Sequence, residues 1–307
     1  MTRRERRNVG ASVRARLMNR SRNTGEDFQF LLQRYAAERF LYRLGESQHR
    51  ERYVLKGAML LALWKESVYR PTRDLDFTGY GSSLANDVRS AIRDICGIPV
   101  ANDGVVFGSG DIEIEPSREH EEYDGLRARF NATLSGARIR MRIDIGFGNA
   151  IHPPPIDAHY PTLLDASRPQ IRVYPREAVV AEKLHAMVVI GERNSRYKDF
   201  YDLHALAQHF AFEGDHLVRA IGATFEKRRT TISQTLPVAL TPQFYDEANR
   251  AEQWRIYLER NELPGTPSDF ATVGDRLLLF LGEPWDAMAH GSEFTGNWSV
   301  GGPWRHE

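Results

Sequence analysis

The sequence predicts an α+β fold, and two patterns carry that prediction. Strand-type alternation of apolar and polar residues is concentrated between about residues 74 and 145, whereas apolar residues recur at helical spacing from Phe28 to Leu44 and again after Pro175. Strands gathered in one part of a chain and helices in another describe α+β rather than alternating α/β architecture. With 307 residues the chain has room for two compact domains. The expected division is a basic N-terminal arm over 1–25, a sheet domain with an N-terminal covering helix over 26–165, and a helical C-terminal domain with a Gly- and Trp-rich tail over 166–307.

The first 25 residues are Arg-rich and interrupted by Gly10 and Gly25; Ala11–Asn19 can form a short basic helix, and a solvated arm is a simpler expectation than a dedicated RNA contact. Phe28, Leu31, Leu32, Tyr35, Phe40, Leu41 and Leu44 then mark an amphipathic helix that covers the next domain. Tyr53–Lys56 runs into the small-residue turn Gly57-Ala58, followed by the helix-favouring Met59–Trp64. In Asp74-Leu75-Asp76-Phe77 the acids share one face of a strand and the apolar pair the other. Ser82–Cys96 reads as a helix with Leu84, Val88, Ala91, Ile92 and Ile95 on one stripe, Gly110–Glu115 as a strand, and the acidic Glu119–Asp124 as a solvated loop. Leu126–Leu134 and Ile139–Ile145, joined by Ser135-Gly136, form a hairpin pattern.

Asn149–Pro155 and Pro161–Pro169 are loop-like and make the expected linker. Pro175 and Glu177 open a helix that Gly191 stops after Ile190; Asn194–Asp199 is a polar turn feeding a helix over Phe200–Phe210. Helical patterns follow over Leu217–Arg229, Pro242–Asn261 and Ser268–Leu281, and Trp285, Trp298 and Trp304 are expected to staple the tail from Gly282 onward to the body.

Lys+Arg and Asp+Glu are both 41, so no net field draws the chain to nucleic acid and any basic surface is local. The single cysteine, Cys96, excludes an intramolecular disulfide and suits a reducing cytoplasm. The basic start leads into no signal-type apolar core, and no run approaches a membrane span, so a cytoplasmic protein without membrane contact is expected. No Cys/His cluster and no Gly-x-Ser-x-Gly is present.

The chemistry concentrates in a few places. Asp74 and Asp76, roughly 7 Å apart along a strand, repel each other unless a cation intervenes, and hard oxygens suit Mg²⁺ with a substrate phosphate completing its shell. The plain alternative is a solvated strand end. Lys56-Gly57-Ala58, opening a helix, presents backbone N–H groups to an anion. Asp144, on the Arg138/Arg140/Arg142 face of its strand, is either a third carboxylate or a strand-end acid paired to a neighbouring arginine. Lys183 lies among apolar neighbours, where a pocket anion would relieve its charge or its stem would snorkel. Asp199 either caps its helix or, with Lys198, holds a triphosphate. Thr72 closes a turn or, near the acids, offers a hydroxyl whose modification would switch the site off.

From about residue 26 to 230 the order and spacing of Glu38–Leu44, Leu55–Ala58, Arg70–Phe77, Asp144–Gly148, Glu182–Ala186 and Asn194–Leu203 resemble the AbiEii/AbiGii toxin family. These are nucleotidyltransferases of the DNA polymerase beta-like superfamily, a group that includes the mycobacterial MenT toxins. The resemblance implies a nucleotidyltransferase-type mixed sheet flanked by helices, an Mg²⁺-dependent site and a helical C-terminal part. By that resemblance Asp74 and Asp76 are metal ligands, Asp144 is the third superfamily carboxylate, and Lys183, Lys198 and Asp199 carry the later motifs. Lys56-Gly57-Ala58 falls at the family's Gly-Gly or Gly-Ser turn, with Ala58 removing a hydroxyl contact. Thr72 and Arg196 join the nucleotide-binding set.

The implied activity is transfer of NMP from an NTP to an acceptor hydroxyl, at the 3′ end of tRNA, so as to block translation, with a cognate antitoxin as partner. Arg127, Arg129, Arg138, Arg140 and the Arg-rich N-terminus would then contact phosphates. Two rival readings are a protein nucleotidylyltransferase and a nucleotide-binding regulator without chemistry.

Overall fold

A computed structural model describes residues 8–64, 70–117, 125–263 and 265–306. The acidic Glu119–Asp124 lies outside the described residues. The chain divides into two compact units, Met1–Gly148 with Ile156–Val173 and Asn149–Pro155 with Tyr174–Glu307.

In the first unit the elements follow in the order α1 (Val9–Thr24), α2 (Phe28–Gly45), β1 (Tyr53–Lys56), α3 (Met59–Trp64), β2 (Leu75–Gly79), α4 (Ala85–Gly97), β3 (Val105–Phe107), β4 (Glu113–Pro116), β5 (Gly125–Leu134), β6 (Ala137–Phe147), β7 (Ile156–His159) and β8 (Gln170–Val173). The basic stretch expected as a solvated arm is, over Val9–Thr24, a helix that buries Val13 and Leu17; two apolar residues four apart are enough to seat it. Asn8 caps it, and Gly25 ends it in the left-handed conformation.

Among the described residues the strands join one mixed sheet in the order β3-β5-β6-β2-β1-β8-β7, with β4 also on β5. The β5–β6 hairpin turns at Ser135 and Gly136, both with positive φ (45° and 79°), as a two-residue turn of primed type requires. Its alternation sends Ala128, Phe130, Ala132, Ile139, Ile143 and Ile145 into the core. There they meet α2 and the buried stripe Val88, Ala91, Ile92 and Ile95 of α4; the Phe40 ring lies 6.0 Å from both Phe107 and Phe130. Beside the two loop-like stretches expected as linker lie two strands, β7 between them and β8 directly after the second: β7 pairs antiparallel with β8, and β8 parallel with β1.

The second unit contains α5 (Arg176–Ile190), α6 (Tyr197–His209), β9 (Phe212–Glu213), α7 (Gly214–Lys227), α8 (Pro242–Tyr245), α9 (Ala248–Arg260), α10 (Phe270–His290), β10 (Asn297–Trp298) and β11 (Trp304–Arg305). The helix expected over Pro242–Asn261 is broken between α8 and α9, and the last helix continues past Leu281 through Pro284 to a left-handed Gly291. Trp285 therefore belongs to α10, with its indole N–H on the Ser233 and Thr235 carbonyls at 3.1 and 3.2 Å. The tail pairs β10 with β9 and β11, and two indoles fasten it: Trp298 Nε1 donates to Ala207 O at 2.8 Å and Trp304 Nε1 to Phe280 O at 3.0 Å. Among the described residues no helix is long and apolar enough to cross a membrane.

Candidate active site

The first unit gathers carboxylates at the meeting of β1, β2 and β6. β2 and β6 run parallel with Asp76 opposite Asp144, and β1 runs antiparallel to β2 with Lys56 opposite Asp76. Leu75 and Phe77 are buried, which fixes the opposite, polar face for Asp74 and Asp76. Gly57 follows directly, with φ of 75°; a Cβ there would collide with the Asp76 carboxylate. The turn thus brings bare backbone against an acid, and only glycine satisfies both the conformation and the approach. Ala58 is buried behind it, opening α3. Thr72 lies half-exposed in the irregular segment entering β2.

Arginines hold two of these acids. Asp74 pairs with Arg142 of β6. Asp144, 1% exposed, receives the Arg127 fork, Nε on Oδ1 at 2.7 Å and Nη2 on Oδ2 at 3.2 Å, together with Ser117 Oγ at 3.3 Å; Arg142 Nε stands 3.6 Å from its Oδ2. Arg127 is directly opposite Asp144 in the β5–β6 register, so one cross-strand pair neutralises a buried charge. Asp144 neighbours Asp76 in the register and is the partner of an arginine. The roles of Arg127 and Arg142 as counter-ions were hidden in the sequence, where both belong to an alternating strand face.

As a donor set for a divalent cation, Asp74 and Asp76 fit: they are hard, half-exposed oxygens on one face. Asp144 has both oxygens engaged and would have to leave Arg127 to act as a ligand. Among the described residues no group of three or more His, Cys, Asp or Glu is arranged to hold a metal ion.

The second unit brings together the later motif residues. Lys183 Nζ lies 2.7 Å from Asp199 Oδ1 and 2.6 Å from Asp202 Oδ2, and Arg196 Nε donates to Asp199 Oδ2 at 2.8 Å. Helical spacing produces this: Asp199 and Asp202 are three apart on α6, facing Lys183 of α5. The anion that relieves Lys183 is this pair of carboxylates. Burial alone would raise the Asp199 carboxyl, but Lys183 and then Arg196 outweigh it and hold it well below the usual carboxylate range. Lys198, half-exposed on the same turn, adds to that pull. Two residues along α5, His185 is buried, its Nε2 on Thr230 Oγ1 at 2.8 Å and its Nδ1 on Arg228 at 3.0 Å. Burial, then Arg228, lowers its pKa to about 4, so the ring is neutral at neutral pH.

A mixed sheet that sets a carboxylate on each of two adjacent parallel strands, beside a glycine turn, defines the class: a nucleotidyltransferase-type fold. The family described as nucleotidyl transferase AbiEii toxin, type IV toxin–antitoxin system, matches residues 39–276, and the chain belongs to it. The fold is similar to that of JHP933 from Helicobacter pylori, at a TM-score of 0.52 and 14% identity over 86% of this chain and 94% of that one. It is similar also to a candidate nucleotidyltransferase from H. pylori, at a TM-score of 0.50 and 16% identity over 88% and 100%. No curated protein matches the sequence. The family makes the chain a transferase of the toxin type and implies a cognate antitoxin.

Proposed function

We propose that this toxin-family transferase moves NMP from an NTP to the 3′-terminal hydroxyl of tRNA, and that the modified tRNA can no longer be aminoacylated. The observation that carries the reading is the Asp76–Asp144 register beside the Gly57 turn, which sets acids and open backbone at one point. The acceptor hydroxyl attacks the α-phosphorus, its proton passes to a carboxylate of the site, and the bond to pyrophosphate breaks as the new P–O bond forms. Asp74 and Asp76, with Asp144 once released from Arg127, would hold Mg²⁺, which when bound offsets charge on the phosphates. Lys56 and the backbone at Gly57 and Ala58 orient the triphosphate, and Thr72 borders it. In the second unit Lys183, Asp199 and Arg196 hold an ion cluster of their own, with Lys198 beside it.

The test is label transfer from each α-³²P-NTP to total tRNA and to protein, in the cytoplasmic extract and with purified chain, alongside Asp76→Ala. Label entering tRNA only with the wild-type chain supports the proposal. Equal labelling by both proteins removes the catalytic assignment, and label in protein bands alone moves the acceptor to a protein hydroxyl.

A further inference from the structure

The β5–β6 hairpin carries a charge pattern that the acid site does not use up. Its two strands hold five arginines and one acid, Asp144. The register puts all of them on one face: Arg127 opposite Asp144, Arg129 opposite Arg142, Asn131 opposite Arg140 and Thr133 opposite Arg138. Two arginines directly opposite one another oppose pairing, so the hairpin does not gain stability from this arrangement. Intramolecular partners account for three: Arg127 on Asp144, Arg142 on Asp74, and Arg129 on Glu115 at 2.7 Å. Two remain. Arg138 is exposed and its Nε meets only the neutral Asn131 Oδ1 at 3.1 Å; Arg140 is exposed and makes no hydrogen bond or ion pair with any described residue.

Position matters as much as sign. Arg138, Arg140, Arg142 and Asp144 occupy alternate positions of one strand, so they form a straight row with rungs roughly 7 Å apart. That spacing is on the order of the phosphate repeat of an extended single strand, and the row ends at the carboxylates. Asn131 and Thr133, alongside, are suited to sugar and phosphate oxygens. An acidic protein surface would find the positive charge but would meet Asp74, Asp76 and Asp144 at the end of the row. A polynucleotide reaches that end with a hydroxyl.

We propose that the open face of β6 is a track for single-stranded RNA, with phosphates on Arg138 and Arg140 and the 3′ terminus directed to Asp76 and Asp144. The direction of the strand rests on the nucleotidyl-transfer reading; the track itself does not.

Binding of a fluorescein-labelled single-stranded RNA, measured by anisotropy across a salt series, tests it with the wild-type chain, Arg138→Gln/Arg140→Gln, and a control pair Arg255→Gln/Arg260→Gln at exposed positions of α9. Circular dichroism confirms that the three proteins are folded alike. Loss of two phosphate contacts should flatten the log–log salt slope by about 1.4, about 0.7 per contact for a single strand, and weaken binding several-fold at low salt. The control pair should leave slope and affinity unchanged. Wild-type slope in the double variant, or equal weakening by the control pair, overturns the track. So does a double variant that loses polyglutamate but keeps RNA, which would mark an acidic-protein site. If wild type fails to label RNA while the slope difference holds, the transfer reading fails and the track stands; labelling with no slope difference gives the reverse.

Discussion

Replacing Lys183 with methionine separates its structural from its chemical part. The ammonium is shared by Asp199 and Asp202, whose side chains are 3% and 1% exposed, so its removal leaves two buried carboxylates facing each other with Arg196 on one of them. Removing one partner of a buried pair typically costs about 3–5 kcal/mol; with Arg196 retained, about 3 is expected. At a urea dependence of about 2 kcal/mol per molar, that lowers the midpoint by about 1.5 M. Four of the five tryptophans lie in the second unit, so fluorescence reports its unfolding. The sign with pH also follows. The Asp199 carboxyl is held low in the folded protein, so its contribution is present above the ordinary Asp value of about 3.9 and is lost as pH falls below it. Lys183→Met should shrink that acid-side loss, and adding Asp202→Asn should recover at least about 1 kcal/mol, because one of the two facing charges is gone. A midpoint shift below about 0.5 M, or a double variant no better than the single, would refute the reasoning. If the shift is as large as expected, activity lost in Lys183→Met cannot be read as chemistry until stability is matched.

The parts of this fold legible in the sequence are those whose signal is local. Asp74-Leu75-Asp76-Phe77 alternates because one face is buried, and Ser135-Gly136 supplies the φ values its turn needs, so both were readable without partners. Strands β7 and β8, four residues each beside prolines, carry too little pattern; β8 becomes a strand by pairing with β1, more than a hundred residues earlier. Helix α2 was readable as a helix, yet its buried Arg34, Glu38, Arg39 and Arg43 were not, since charges at helical spacing look solvated. Arg34 and Glu38 lie 3.5 Å apart one turn along the helix, but the other partners are distant: Glu38 accepts from Leu163 N at 3.0 Å, Arg39 donates to Ser167 O at 2.9 Å, and Arg43 forks onto Asp103. The site divides in the same way. The acid pair at the entry to β2 was visible, whereas Arg127 as the holder of Asp144 depended on a register that only the folded hairpin sets.

Two further outcomes follow from single positions. Burial, against the opposing Leu163 N–H and Arg34, raises the Glu38 pKa from 4.5 to about 7, so the folded state takes up a proton that the unfolded chain does not. The Glu38 contribution to stability is full below about pH 4.5 and falls by up to about 3 kcal/mol as pH rises through about 7. In Glu38→Gln that decline should vanish from urea midpoints taken across the interval, and an unchanged decline would assign it elsewhere. Gly57→Ala is the sharper probe of the acid site, because the added methyl meets two objections at once: a φ of 75° that alanine resists and the Asp76 carboxylate in its path. Strain of that kind costs about 1–3 kcal/mol, and relief requires the turn or Asp76 to move. NTP binding, followed by isothermal titration at matched stability, should weaken at least about tenfold, since 1.4 kcal/mol is a factor of ten. Wild-type affinity would show that the turn does not touch the nucleotide, whatever the fate of the acids.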